Sequence, residues 1–185
     1  KTFFSMEGRT SDIQSLIVSR NDKKALTLKY MPACRIYQIN TKWRFSKEEG
    51  FSLNMFNGRW QKEKKDKAPE KPQGIARQDQ CKQVMLKTWI TADALYIEPG
   101  MDIFDSEDKR ISFMYAFKQG IINTFDIEES EIDIVTFDEN RNLLIYEAAE
   151  GSLGVLSRIA DESDLFKKII IAAWQICRFD DDNYT

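Results

Sequence analysis

The sequence predicts an α+β fold, a mainly antiparallel sheet with helices packed on it, and three observations predict it. Apolar and polar residues alternate in short runs through the first hundred positions. Helical spacing takes over after Ser106, and two later apolar runs are joined by a connection too short for a parallel crossover. With 185 residues, 42% of them hydrophobic, the chain can bury a sizeable core, and one domain overall is the expectation.

Residues 1–24 read as polar and turn-rich, with one apolar run at Leu16-Ile17-Val18. From Ala25 to Asn40 the alternation places Leu26, Leu28 and Tyr30 on one face and Cys34 and Ile36 after Pro32, which predicts two short strands or one bent strand. Phe51–Met55 and Arg59-Trp60 flank Asn57-Gly58, a strong local hairpin signal. Residues 61–74 hold two prolines and no large apolar side chain, so an exposed loop is expected there. Lys82 to Pro99 predicts a strand, a tight turn at Asp93 and a second strand.

Ser106 caps a predicted helix to Phe125, with Ile111, Met114, Phe117 and Ile121 on one stripe and Gly120 marking a close neighbour. Ile132, Ile134 and Thr136 give the next strand, and Leu143 to Tyr146 returns antiparallel beside it. Helices are expected over Ser152–Asp161 and Ser163–Arg178, the second with a stripe through Leu165, Ile169 and Ile176. The expected organisation is a strand-rich segment 1–60, an exposed loop 61–79 and an α+β core 80–185. Since the chain opens at Lys1 without a hydrophobic leader, it is expected to be a piece of a longer protein.

Composition removes several chemistries. Histidine is absent, which excludes imidazole bases and His-ligated zinc. Three well-separated cysteines, Cys34, Cys81 and Cys177, fit a reducing, cytoplasmic setting better than a disulfide scaffold. No run of eighteen apolar residues exists, so no membrane partner is expected. The net charge of −3 is uneven: positions 1–100 carry 19 Lys/Arg and 11 Asp/Glu, positions 101–185 carry 8 and 19. The first half could meet a polyanion, or the two halves could neutralise each other.

Leu143 to Gly154 brings a buried strand into an acidic, glycine-bearing turn and then a helix, placing Glu147 and Glu150 where loops carry function. A turn needing glycine for its backbone is the competing reading. Asp133 and Glu147 on adjacent strands would suit a divalent ion in a carboxylate-dependent nuclease, although Ala148-Ala149 leaves no lysine after Glu147. Gly151 and Gly154 open a helix, yet the neighbouring acids would repel a phosphate. Arg35, Lys42 and Arg44, interleaved with Tyr37, Trp43 and Phe45, suit stacking on bases with backbone neutralisation, and Lys62, Lys64 and Lys65 add a plausible phosphate contact. Core packing is the favoured reading of Trp43 and Phe45. A scaffold engaging a partner through Glu128, Glu129 and Glu131 is a third possibility.

Tyr146 to Ile159, YEAAEGSLGVLSRI, resembles the signature of the helicase-associated domain found at the C-terminus of MrfA-type repair helicases and in DrmB of the DISARM anti-phage system. Met31 to Arg44 looks like the DrmB-type version, and Gly8 to Val18 is similar to the segment before it. The resemblance implies a non-catalytic module of a DNA-processing system, with 80–185 as the helicase-associated core. Its implied partners are a helicase and DNA, and its implied motif residues are Glu147, Glu150, Gly151 and Gly154. Ser152 and Leu153 depart from the family's second glycine and alanine. The family's zinc-binding cysteine cluster would begin at Cys177, which could contribute only if further cysteines followed in the full protein. No cofactor is expected within these residues.

Overall fold

Nine strands and three helices account for most of the residues that the computed structural model describes, which are 2–6, 13–20, 23–44, 46–61, 81–100, 106–137, 141–149 and 151–177. They fall into two compact units that interleave in sequence: a smaller one, Lys1–Phe3 with Tyr37–Trp89, and a larger one, Phe4–Ile36 with Ile90–Thr185. The main sheet runs β1 (Thr2–Met6), β3 (Lys23–Asn40), β7 (Leu86–Pro99), β9 (Asn142–Glu147), β8 (Ile132–Phe137), and β2 (Gln14–Arg20) also pairs with β3. The α+β expectation holds: α1 (Glu107–Phe125), α2 (Val155–Asp161) and α3 (Ser163–Ile176) pack on this mainly antiparallel sheet.

Alternation along each strand sorts the side chains of the larger unit onto two faces. Leu95 and Ile97 of β7, with Leu143 and Ile145 of β9, join Met114, Phe117 and Ile121 of α1, Leu156 and Ile159 of α2, and Ile169 of α3. Ala94 of β7 and Leu144 and Tyr146 of β9 turn to the other face, where Met31, Cys34 and Ile36 meet the rings of Phe4, Tyr96 and Phe137. Phe4 lies 5.4 Å from Tyr96 and 4.9 Å from Phe137, centroid to centroid. Burying each such side chain contributes about 1.5–3 kcal/mol, so both clusters stabilise the sheet.

Between Ala25 and Asn40 the structure has one strand, not two. Ala33, with φ +50°, interrupts it beside Pro32. The irregularity moves the alternation by one: even-numbered Leu26, Leu28 and Tyr30 face the helices, whereas even-numbered Cys34 and Ile36 face away. Residues 1–24 are not merely turn-rich, since they contain β1 and β2. The turn expected at Asp93 is absent, because β7 continues through it and the break falls earlier, at Met85, after β6 (Cys81–Val84). The helix expected from Ser152 begins at Val155.

The helix α1 starts as expected, with Ser106 Oγ accepting from Lys109 N at 3.3 Å. Gly120 then permits the approach of α3: a Cβ there would lie 2.5 Å from Ile169 O and 3.1 Å from Ala173 Cβ. In the smaller unit, β4 (Phe51–Asn54) pairs with β5 (Trp60–Gln61) and with β6. The hairpin at Asn57-Gly58 forms where expected: buried Asn54 accepts through Oδ1 from Phe56 N at 2.9 Å and Asn57 N at 3.2 Å, and through its carbonyl from Gly58 N at 2.8 Å.

Two outcomes follow from this packing. Gly120→Ala gains helix propensity but must push Ile169 away, so chemical denaturation is expected to show a net loss of about 1–3 kcal/mol; a more stable variant would contradict the close approach. Burial pushes the Cys34 thiol up from 9.0 to about 11. The unfolded chain therefore loses its proton first, and Cys34 costs stability as pH rises from about 9 to about 11. Cys34→Ala is expected to flatten the stability profile in that window.

Candidate functional site

Glu147 ends β9 on the helix-facing side of the sheet and is 1% exposed. A carboxylate at such depth needs several donors, and the next nine residues supply them. Oε2 accepts from Leu153 N at 2.6 Å and Gly154 N at 3.3 Å, and Oε1 accepts from Leu156 N at 3.0 Å. Gly154 is the N-cap residue of α2, in the left-handed region at φ +67°, which a side chain rarely adopts, and it offers no side-chain cap. Glu147 caps the helix in its place, its charge set against the unpaired amides of the first turn.

The turn is tied further into the sheet by Asp93 of β7. Tyr30 donates its hydroxyl to Asp93 Oδ2 at 2.9 Å, and Ala33 N donates to Oδ1 at 3.1 Å. Ser152 Oγ lies 3.0 Å from Asp93 Oδ2 and 2.9 Å from Glu147 Oε2, so its single proton serves one carboxylate at a time. Burial first, then the hydrogen bond and charge of Asp93 and the charge of Glu147, hold the Tyr30 phenol above its ordinary range. A hollow of about 180 Å3 lies beside Asp93, Glu147 and Ser152, and the two carboxylates there accept from Tyr30, Ser152 and Leu153. Asp93 and Tyr30 were not legible as partners of this turn, since both lie more than fifty positions from it.

Asp133 does not join this group. It pairs with Tyr146 across β8 and β9, while Ile132 pairs with Glu147, so the two carboxylates project from opposite faces of the sheet. Asp133 accepts instead from Tyr146 OH at 2.6 Å and from Ile134 N at 2.8 Å. The convergence on one ion that the nuclease reading required is not formed. Among the described residues no cluster of three or more Cys, Asp or Glu could hold a metal ion. Cys177 stands exposed at the C-cap of α3.

Gly151, at φ +85°, and Gly154 occupy the turn as the motif places them, and Glu150 lies outside the described residues. Lys62, Lys64, Lys65 and Phe45 also lie outside them. Arg35 is half-buried on β3 in the larger unit, and Lys42 and Arg44 are exposed around Trp43 in the smaller one. Glu128 and Glu131 close a capping box on one short 3-10 turn, Glu131 Oε2 accepting from Glu128 N at 2.8 Å.

The smaller unit holds a second arrangement that is more exposed. Trp43 is 42% exposed and Trp60 46%, although each packs edge-on against the buried ring of Phe51, at 5.0 and 6.1 Å. Core packing is the sequence expectation for Trp43, whereas the structure leaves it 42% exposed. The loop that carries it is closed by Gly50 N donating to Thr41 O and by Ser46 N donating to Trp43 O at 3.0 Å. Trp60 and Lys82 both pair with Leu53, from either side of β4, so all three share a face. Further along, the Lys87 ammonium sits 3.9 Å from the centre of the Tyr37 ring, with 59%-exposed Trp89 two residues on. Trp60 belongs to the hairpin that Asn57-Gly58 signals, two residues after Gly58, whereas no local signal brings Lys82 of β6 beside it.

The chain is similar to the crystal structure of the DUF1998 helicase MrfA bound to DNA, with a TM-score of 0.46 and 12% sequence identity. The likeness covers 94% of this chain and 21% of that one, so the chain spans about a fifth of that helicase. No family model and no curated protein matches the chain.

Glu147→Gln keeps the shape of the side chain but replaces an acceptor with a donor among amides. It is expected to cost about 2–4 kcal/mol in denaturant melts; an unchanged midpoint would contradict the capping role.

Proposed function

We propose that this chain is a non-catalytic, helicase-associated module that holds nucleic acid through its smaller unit, in a DNA-processing system of the repair or DISARM-type anti-phage kind. The observation that carries the reading is where charge and exposed aromatic surface coincide. The smaller unit holds 13 Lys/Arg against 6 Asp/Glu, and the larger unit holds 14 against 24. The charge asymmetry of the sequence is thus sharper between the units than between the halves, since residues 4–36 and 90–100 of the basic half belong to the acidic unit that carries the helices.

A polyanion gains from each ammonium or guanidinium that displaces its counterions, whereas the larger unit's net charge of −10 would repel it. The larger unit would instead face a basic helicase surface. The resemblance of Tyr146 to Ile159 to the helicase-associated signature supports that assignment. The role of Glu147 as a helix cap supports a turn that shapes a surface and breaks no bond.

Electrophoretic shifts of the chain on DNA are expected to weaken steeply between 50 and 200 mM salt, in the manner of counterion release. Lys42→Gln and Arg44→Gln are each expected to reduce the slope of log affinity against log salt by about 1, with little dependence on sequence. A shift insensitive to both salt and these substitutions would remove the smaller unit from the interface.

A further inference from the structure

We infer that the face bearing Trp43, Trp60 and Lys82 is a stacking platform for single-stranded nucleic acid, and this rests on the nucleic-acid reading above. Duplex DNA needs only cations, since its bases are already stacked on one another. A single strand presents unstacked bases that gain about 1–3 kcal/mol each from an aromatic ring. All four tryptophans are 42–59% exposed, and Trp43 and Trp60 are set apart by packing against one shared ring, Phe51, in the basic unit.

Phe51 does the holding. Its ring meets Trp43 at an interplanar angle of 73° and Trp60 at 74°, T-shaped contacts that leave each indole a little under half exposed. The centroid distances of 5.0 and 6.1 Å place the two indoles within about 11 Å of each other. Neither relies on a flexible tether: Trp43 sits in the loop closed at Thr41 and Gly50, and Trp60 is paired to Leu53 in the sheet. Rings fixed before binding lose little conformational entropy when a base arrives.

Charge selects the occupant. Lys82 lies on the same face, cross-strand from Leu53, where an ammonium can neutralise the phosphate between stacked bases. The described residues of the smaller unit include six Lys/Arg, Lys42, Arg44, Lys47, Arg59, Lys82 and Lys87, and two acids, Glu48 and Glu49. An apolar protein partner would use the aromatic area but would gain nothing from this positive balance.

The test is a tryptophan-fluorescence titration of the intact chain with oligothymidylate and with a hairpin duplex of equal phosphate number. The single strand is expected to quench emission and bind at least tenfold more tightly than the duplex. Trp43→Leu and Trp60→Leu, which keep an apolar cover on Phe51, should each weaken single-strand binding roughly tenfold or more, in the range of one lost stack, and leave duplex binding within about twofold. Trp60→Phe should restore most of the loss, and this rescue separates lost stacking from lost folding. Equal affinity for both nucleic acids, or Leu variants that bind the single strand like the parent, would overturn the platform while leaving the salt-dependent DNA reading intact. Binding of neither nucleic acid at low salt would overturn both.

Discussion

The larger unit depends on a single buried charge. Glu147 lies at the end of a central strand, and its two oxygens take three amides from the start of α2 and the region before it. A backbone that leaves the sheet there has no side-chain cap of its own, so without that carboxylate the first turn of α2 would be buried with unpaired donors. The position of α2 in turn sets Leu156 and Ile159 against the sheet, and α3 follows within two residues of its end. Asp93 extends the same constraint sideways. It holds Ala33 at the irregularity of β3 and Ser152 in the turn, so strands β3, β7 and β9 are tied at one point near the helix layer.

That wiring gives the acidic, glycine-bearing turn a structural role. The carboxylates of Glu147 and Asp93 accept from the amides of Leu153, Leu156 and Ala33 and from the hydroxyls of Tyr30 and Ser152. Asp133, the other member of the pair that chemistry would have required, turns to the opposite face and accepts from Tyr146. On the small sheet, Trp43 and Trp60 stand about half in solvent, and Lys82 shares the face of Trp60 across Leu53.

What the sequence made legible was local. Ser106 and the apolar stripe placed α1, Asn57-Gly58 placed the β4–β5 hairpin, and a short connection made β8 and β9 antiparallel. What it hid was long-range. Asp93 looked like a turn residue because an aspartate in a strand needs partners, and its partners come from Tyr30, Ala33 and Ser152, about sixty positions away. The helix expected from Ser152 begins only at Val155, and the carboxylate that caps it lies seven residues before Gly154, beyond the reach of a local cap signal. The half-exposure of Trp43 goes with a T-shaped contact to Phe51, which no spacing reveals.

Glu147 and the amides it accepts from hold the turn of the larger unit together, and the nucleic-acid contact proposed above falls on the Trp43, Trp60 and Lys82 face of the smaller unit, apart from that turn. Amide and indole NMR shifts recorded while a short single-stranded oligonucleotide is added test that separation most directly. The indole N–H signals of Trp43 and Trp60 and the amides around Lys82 should move, while Leu153, Gly154 and Leu156 stay in place. Shifts concentrated at Glu147 to Leu156, with the indoles unmoved, would contradict it.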